Sequence, residues 1–152
     1  MRPTERLAEL GITLPSDAAP AGAYVPARRS GSLVWTAGQV PFVDGKLPAT
    51  GKVGAEVDAD TAKDLARTCV LNALAAVDSL VGLDSVTGVV KLVGFVASDP
   101  SFTGQPGVIN GASELLGEVF GEAGQHARSA VGVAVLPLDA PVEVEIVVEI
   151  AG

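Results

Sequence analysis

The sequence predicts an α+β fold, a mixed β-sheet with two helices packed on one face. Three observations predict it. Strand-like and helix-like stretches follow one another in the order strand, strand, helix, strand, helix, strand, strand. The two long helical stretches each carry one apolar stripe, as suits helices laid on a sheet. The last stretch, His126 to Ile150 (HARSAVGVAVLPLDAPVEVEIVVEI), holds two alternating runs on either side of a Leu-Pro-Leu-Asp-Ala-Pro turn.

Taken in order, residues 3–10 (PTERLAEL) open with a proline where a helix can start and place Leu7 and Leu10 three apart before Gly11, predicting a short N-terminal helix. Residues 11–22, rich in Pro, Gly and Ala, read as a connecting loop. Tyr24 to Arg29 and Leu33 to Gln39, separated by Ser30-Gly31-Ser32, read as strand, tight turn and strand. Val40 to Gly54 is punctuated by Pro41, Asp44-Gly45, Pro48 and Gly51, predicting a loop with one short strand near Lys46. Asp58 and Asp60 both suit the N-cap of a helix running to about Val81. Its buried stripe is Ala62, Leu65, Ala66, Cys69, Ala73, Val77 and Leu80, which makes Cys69 a small core residue rather than a nucleophile. Ser85 to Ser98 carries apolar residues on both faces and reads as a central strand buried on both sides. Pro106 opens a second helix with the stripe Val108, Ala112, Leu115 and Val119, stopped at Gly121 and Gly124.

In the first C-terminal run Val131, Val133 and Val135 share one strand face, leaving Arg128, Ala130, Gly132 and Ala134 on the other. In the second, Val142, Val144, Ile146 and Ile150 form an apolar stripe, while Glu143, Glu145 and Glu149 share the opposite face with Val147. Folding the runs as a hairpin, apolar face matched to apolar face, sets Val135 opposite Val144 and Val131 opposite Val148. Arg128 then lies far from the turn, roughly eight residues and some 26 Å from Glu143 at about 3.3 Å per residue. If the two share a site, a second chain must bring them together.

With 152 residues, one domain covering 1–152 is expected, its first 21 residues forming the N-terminal helix and connecting loop. Hydrophobic residues make up 48% and charged ones 18%, so association between copies is a natural way to hide apolar surface. Eighteen acidic residues against ten basic ones give a formal charge of -8, and the basic residues are scattered apart from Arg28-Arg29. Such a surface repels phosphate backbones, so no nucleic-acid partner is expected. The single cysteine cannot form an internal disulfide, and no charged start followed by an apolar run marks a signal peptide, so a cytoplasmic location is expected. No apolar run approaches the roughly 20 residues that span a bilayer, and no membrane partner is expected.

One histidine, one cysteine and no HExxH or CxxC spacing leave no metal site to assemble. A Ser-His-Asp arrangement would rest on His126 alone, without a nucleophile elbow. The glycines follow neither dinucleotide nor phosphate-loop spacing. Arg128, standing on a floor of small residues, is the strongest candidate. Two readings fit it: a planar fork for a carboxylate, or an ion pair with a C-terminal glutamate. Glu143 reads as a general base for water or as the solvated side of an edge strand. His126, beside Arg128, reads as a ligand contact or as a partly exposed loop residue. Tyr24 offers a hydroxyl and Asn110 an amide, and pattern alone singles out neither.

In order and spacing, Gly22-Ala-Tyr24, Ala37-Gly38-Gln39-Val40-Pro41, Asn72, Val89-Val90-Lys91 through Phe95-Val96, Asn110, Ala127-Arg128-Ser129, Leu136-Pro137 and Val142-Glu143-Val144-Glu145 resemble the Rid/YjgF family of reactive intermediate deaminases. The resemblance runs from about Gly22 to Glu149. It implies the fold of Bacillus-type chorismate mutase and a homotrimer whose sheets enclose a central barrel, with clefts between subunits. It further implies cofactor-free hydrolysis of enamines and imines, of the 2-aminoacrylate and 2-iminobutanoate type, to 2-keto acids and ammonia. Carried over residue by residue, Arg128 matches the arginine that grips the substrate carboxylate and Glu143 the acid that positions water. Tyr24 matches the aromatic hydroxyl lining the cleft and Asn110 a polar residue near it, while His126 is a candidate contact only through its place beside Arg128. Ala130 stands where the best-known deaminase branch often has a cysteine. Gly-Glu-Ala-Gly-Gln-His precedes the arginine in place of a shorter stretch containing Phe-Pro, and the Pro41 to Gly54 loop is long, which resembles a sister branch. Two other functions compete with it: a non-catalytic trimer that binds small carboxylates, and the endoribonuclease activity attributed to relatives, against which the charge and the lone histidine speak.

Overall fold

The structure is a computed structural model and describes residues 1–16 and 22–152, so the loop predicted over 11–22 lies partly outside the described residues. The elements are α1 (Pro3–Glu9), β1 (Ala27–Ser30), β2 (Leu33–Thr36), α2 (Ala59–Val81), β3 (Val86–Ala97), α3 (Gln105–Phe120), β4 (Ala127–Val133) and β5 (Val142–Ile150). They build a five-stranded mixed sheet in the order β1-β2-β5-β3-β4, in which only β3 and β4 run parallel. The expected α+β layout is present, with α2 packed on β5 and α3 on β3 and β4.

The C-terminal hairpin is absent. β3 lies between the two runs, pairing parallel with β4 and antiparallel with β5. Two forces set this order. The β3-α3-β4 segment is a strand-helix-strand crossover, which brings its two strands side by side in parallel. β5, whose Val142, Val144, Ile146, Val148 and Ile150 are all buried under the helices, takes the central place where burial is greatest. β4, with Ala130 and Gly132 toward α3, is left at the edge. The apolar stripes of the two runs therefore face opposite sides of the sheet. Val131 is level with Phe95 on the side away from the helices, where it is 44% exposed.

The other elements are close to those predicted. Gly31, at φ +61, and Ser32 close a two-residue turn between β1 and β2. Residues 40–54 are mostly loop, with a bridge joining Val43 and Lys46. Asp58, not Asp60, caps α2, its Oδ1 accepting from the Thr61 amide at 2.7 Å. The stripe of α2 is buried except for Leu80, 46% exposed. The last turn overruns the sheet, and the reversal at Gly82 (φ +79) buries Leu83 instead. β3 is interior but covered on one face only. Leu92 and Val96 are fully buried under the helices, whereas Val93 and Phe95 are half-buried because no described element covers the other side. Cys69 is a buried core thiol near the Val142 carbonyl, pushed well above its ordinary pKa by burial and by the Glu143 charge.

The α2–α3 crossing is closest at Gly111, where an added Cβ would collide with the Lys63 carbonyl. Backbone cannot yield as a side-chain tip can. Gly111→Ala is expected to destabilise the fold by about 1–3 kcal/mol, read as a lowered denaturant midpoint with unchanged slope. Wild-type stability in that variant would mean that the helices separate freely.

Candidate functional site

The face of β4 that carries Arg128 lies against α3, which supplies the polar partners. Arg128 Nη1 donates to Asn110 Oδ1 at 2.8 Å and to Ser113 Oγ at 3.2 Å, and Nη2 reaches the Pro106 carbonyl at 3.4 Å. Asn110 and Ser113 stand three residues apart on one helix face, the spacing that lets both meet one guanidinium. No ion pair joins Arg128 to a C-terminal glutamate among the described residues. With both Nη1 hydrogens and one Nη2 hydrogen engaged, the Nε–H and one Nη2–H remain, two donors that can serve a carboxylate.

His126 extends the network. Its Nδ1 lies 2.6 Å from the Gly124 carbonyl, which can only accept, so Nδ1 carries the hydrogen. In the neutral ring Nε2 then accepts from Ser113 Oγ at 2.9 Å. In that form of the ring the serine hydroxyl donates to His126 and turns a lone pair to Arg128. Hydroxyl and imidazole are two members of a hydrolase triad, but a carbonyl replaces the acid and the arginine draws on the oxygen needed for attack. The group is built to hold Arg128 still. An open cleft of about 330 Å³ lies beside it, lined by Ser113, Gly117, Gly124, Gln125, His126 and Arg128. Ser113→Ala is expected to raise KM for a carboxylate substrate about tenfold through loss of one bond to a charged group, whereas Ser113→Thr, which keeps Oγ, restores it. Equal KM in the alanine variant would show that Arg128 needs no tether.

Glu143 stands elsewhere. It is level with Phe95, on the face of β5 away from the helices, between the fully buried Val142 and Val144. Its carboxyl lies over Gly38, where an added Cβ would stand 2.8 Å from Cδ. Gln39 and Val144 exchange backbone hydrogen bonds of 2.8 and 3.0 Å, and Asn72 Nδ2 holds the Val40 and Phe42 carbonyls at 3.1 and 3.2 Å, so this floor is fixed. Burial, reinforced by the charge of Glu145, raises the Glu143 carboxyl above its ordinary pKa.

Because Phe95 is level with both Val131 and Glu143, the glutamate lies only three residues along the strands from Arg128, about 10 Å, rather than some 26 Å. Yet the two point to opposite faces of the sheet. Within one chain they cannot meet. Tyr24, exposed ahead of β1, lies at the far edge of the sheet from β4. Asn110 and His126 do join Arg128, and Ala130, level with Gly94, lies half-buried on the same face of β4. Sequence reasoning missed Ser113. The signal was its three-residue spacing from Asn110 beside the apolar stripe of α3. Among the described residues no three His, Cys, Asp or Glu side chains gather as metal ligands, and no helix is long and apolar enough to cross a membrane.

Residues 4–150 match the family model described as "YjgF/chorismate mutase-like, putative endoribonuclease". The chain belongs to this family. Protein TCP17 of Trypanosoma cruzi is 46% identical over 151 residues, covering 98% of this chain and 94% of that protein. Among solved structures, Atu1372 of Agrobacterium tumefaciens, described as of unknown function, is 47% identical with a TM-score of 0.90, covering 98% of this chain and 92% of the other. Escherichia coli TdcF, solved with bound serine, is 28% identical with a TM-score of 0.66, covering 91% of this chain and 96% of TdcF.

Proposed function

We propose that this YjgF-family protein is a cytoplasmic enamine/imine deaminase, hydrolysing 2-aminoacrylate- and 2-iminobutanoate-type intermediates to 2-keto acids and ammonia without a cofactor. The observation that carries the reading is the tethered Arg128, whose Nη1 is committed to Asn110 and Ser113 while two donors that can serve a carboxylate are left open. The serine in TdcF, a small amino acid with one carboxylate, is the class of ligand such a pair would take.

The working site is proposed to form between subunits of a homotrimer, where Arg128 with Asn110 and His126 from one copy faces Glu143 and Tyr24 of another, and Ala130 floors the pocket. Two features support this. Arg128 and Glu143 lie on opposite faces of their own sheet, and the helix-free face leaves Trp35 51% and Val131 44% exposed, with Val93 and Phe95 only half-buried. Stacking sheet faces around a central barrel would bury them. The chemistry asked of the site is modest. An imine is already electrophilic, so fixing its carboxylate on Arg128 and setting one water against Glu143 supplies orientation and a proton acceptor. The formal charge of -8 favours a small anion held at one arginine over an RNA partner.

The test is the rate of keto-acid formation when purified protein is added to imines freshly generated by an amino-acid oxidase or dehydratase. Acceleration is expected. No acceleration with any imine, from protein that still binds 2-keto acids, would leave a non-catalytic carboxylate-binding trimer.

A further inference from the structure

We infer that the cleft beside Arg128 receives the side chain of the 2-imino acid, that it favours neutral side chains larger than those of alanine or serine, and that Gly117 sets this preference. The inference rests on the proposed carboxylate reading of Arg128.

Gly117 follows Ser113 by four residues on α3, so any side chain there would project along the helix face that carries Asn110 and Ser113. It lines the same cleft as Ser113, Gly124 and His126. Nothing in the packing calls for glycine. No atom outside the surrounding helix turns comes within 4 Å of where its Cβ would stand, and its φ lies outside the left-handed region. Gly111 and Gly124 differ, since a Cβ on either would strike a backbone carbonyl, of Lys63 and of Leu116. Inside a helix, glycine is destabilising relative to alanine. What the chain has in return at position 117 is open space in the cleft that Arg128 also lines.

The walls indicate what fills that space. Ser113 Oγ is shared between Arg128 and His126, and both ring nitrogens of His126 are bonded. The remaining walls are glycine backbone, and the exposed Gln125 amide stands at the rim. With the free Arg128 hydrogens taken by the substrate carboxylate, an occupant meets Ser113 and His126 polar atoms that are already paired, which suits a neutral, mainly hydrocarbon side chain; a second negative charge would find no further cation among the lining residues. The volume of about 330 Å³ sits at the lower end of the roughly 300–1,000 Å³ typical of small-molecule pockets, more than a methyl or hydroxymethyl group fills.

The test compares wild type with Gly117→Ala and Gly117→Leu, both of which should fold because alanine and leucine are better helix formers. Dissociation constants for pyruvate, 4-methyl-2-oxopentanoate and phenylpyruvate are measured by calorimetry, beside hydrolysis of alanine- and leucine-derived imines. Wild type is expected to prefer the larger acids. The ratio of large-acid to pyruvate affinity should fall at least tenfold in the leucine variant and by less in the alanine variant. A ratio unmoved by either variant, with every acid still bound, overturns the side-chain assignment while leaving Arg128 as a carboxylate site. Failure of wild type to bind any of these acids removes the carboxylate reading and this inference with it. Subunit count is read by light scattering, and an altered count in Gly117→Leu would make position 117 a subunit contact and overturn the assignment.

Discussion

Arg128→Ala is expected to lower kcat/KM for imine hydrolysis by about two to four orders of magnitude. The pair of donors that remains after Asn110 and Ser113 have taken Nη1 offers two charge-assisted bonds to a carboxylate, each contributing about 1.5–3 kcal/mol. Their sum, about 3–6 kcal/mol, converts at about 1.4 kcal/mol per decade to the stated loss. Arg128→Lys should recover only a fraction, because an ammonium cannot keep Asn110 and Ser113 while also presenting a planar pair of donors. Global stability should change little, since Arg128 is half-buried on an edge strand and its partners can turn to water. The checks are steady-state kinetics, calorimetric binding of a 2-keto acid and a thermal melt. A folded Arg128→Ala protein within about threefold of wild type would remove Arg128 from substrate binding.

The helices and most strand spans were legible because each rests on a local signal. Asp58 before a stripe from Ala62 to Val77 specifies α2, and Gly31-Ser32 between alternating runs specifies the first turn. Strand order was not local. The two C-terminal runs look like a hairpin, but the turn between them carries a crossover past β3, with Leu138 and Asp139 at φ +61 and +58. Small residues on β4 had marked which face a helix would approach. Reading Val131 and Val133 as core-facing instead inverted that strand relative to β5. The site divided in the same way. Arg128 and Glu143 were visible as candidates from strand patterning and Asn110 only through a family resemblance, whereas Ser113 and Gly117 became visible only once α3 was laid across β4. The conclusion that one chain cannot join Arg128 to Glu143 stands, but on opposite sheet faces rather than on distance along a hairpin.

Glu143→Gln is expected to lower kcat about 10²–10⁴-fold, the usual contribution of a positioned general base, with a smaller change in KM because the carboxylate grip lies elsewhere. The pH profile separates a base from a structural carboxyl. Water activation requires the ionised form, and burial together with the Glu145 charge raises the pKa of Glu143, so the acid limb of kcat should fall above the usual carboxylate range. Removing the neighbouring charge with Glu145→Gln should shift that limb toward lower pH while keeping most of the rate, and Glu143→Gln should abolish it. Linkage gives the matching sign for stability. A carboxyl whose folded pKa is raised favours the protonated fold, so ionised Glu143 weakens folding above that raised value, and the penalty is relieved as pH falls below the ordinary unfolded value. Glu143→Gln should therefore be at least as stable as wild type near neutral pH, with the difference vanishing in acid. Loss of activity together with loss of stability at neutral pH would make Glu143 a structural residue. Loss of activity in a protein of equal or greater stability would make it the base.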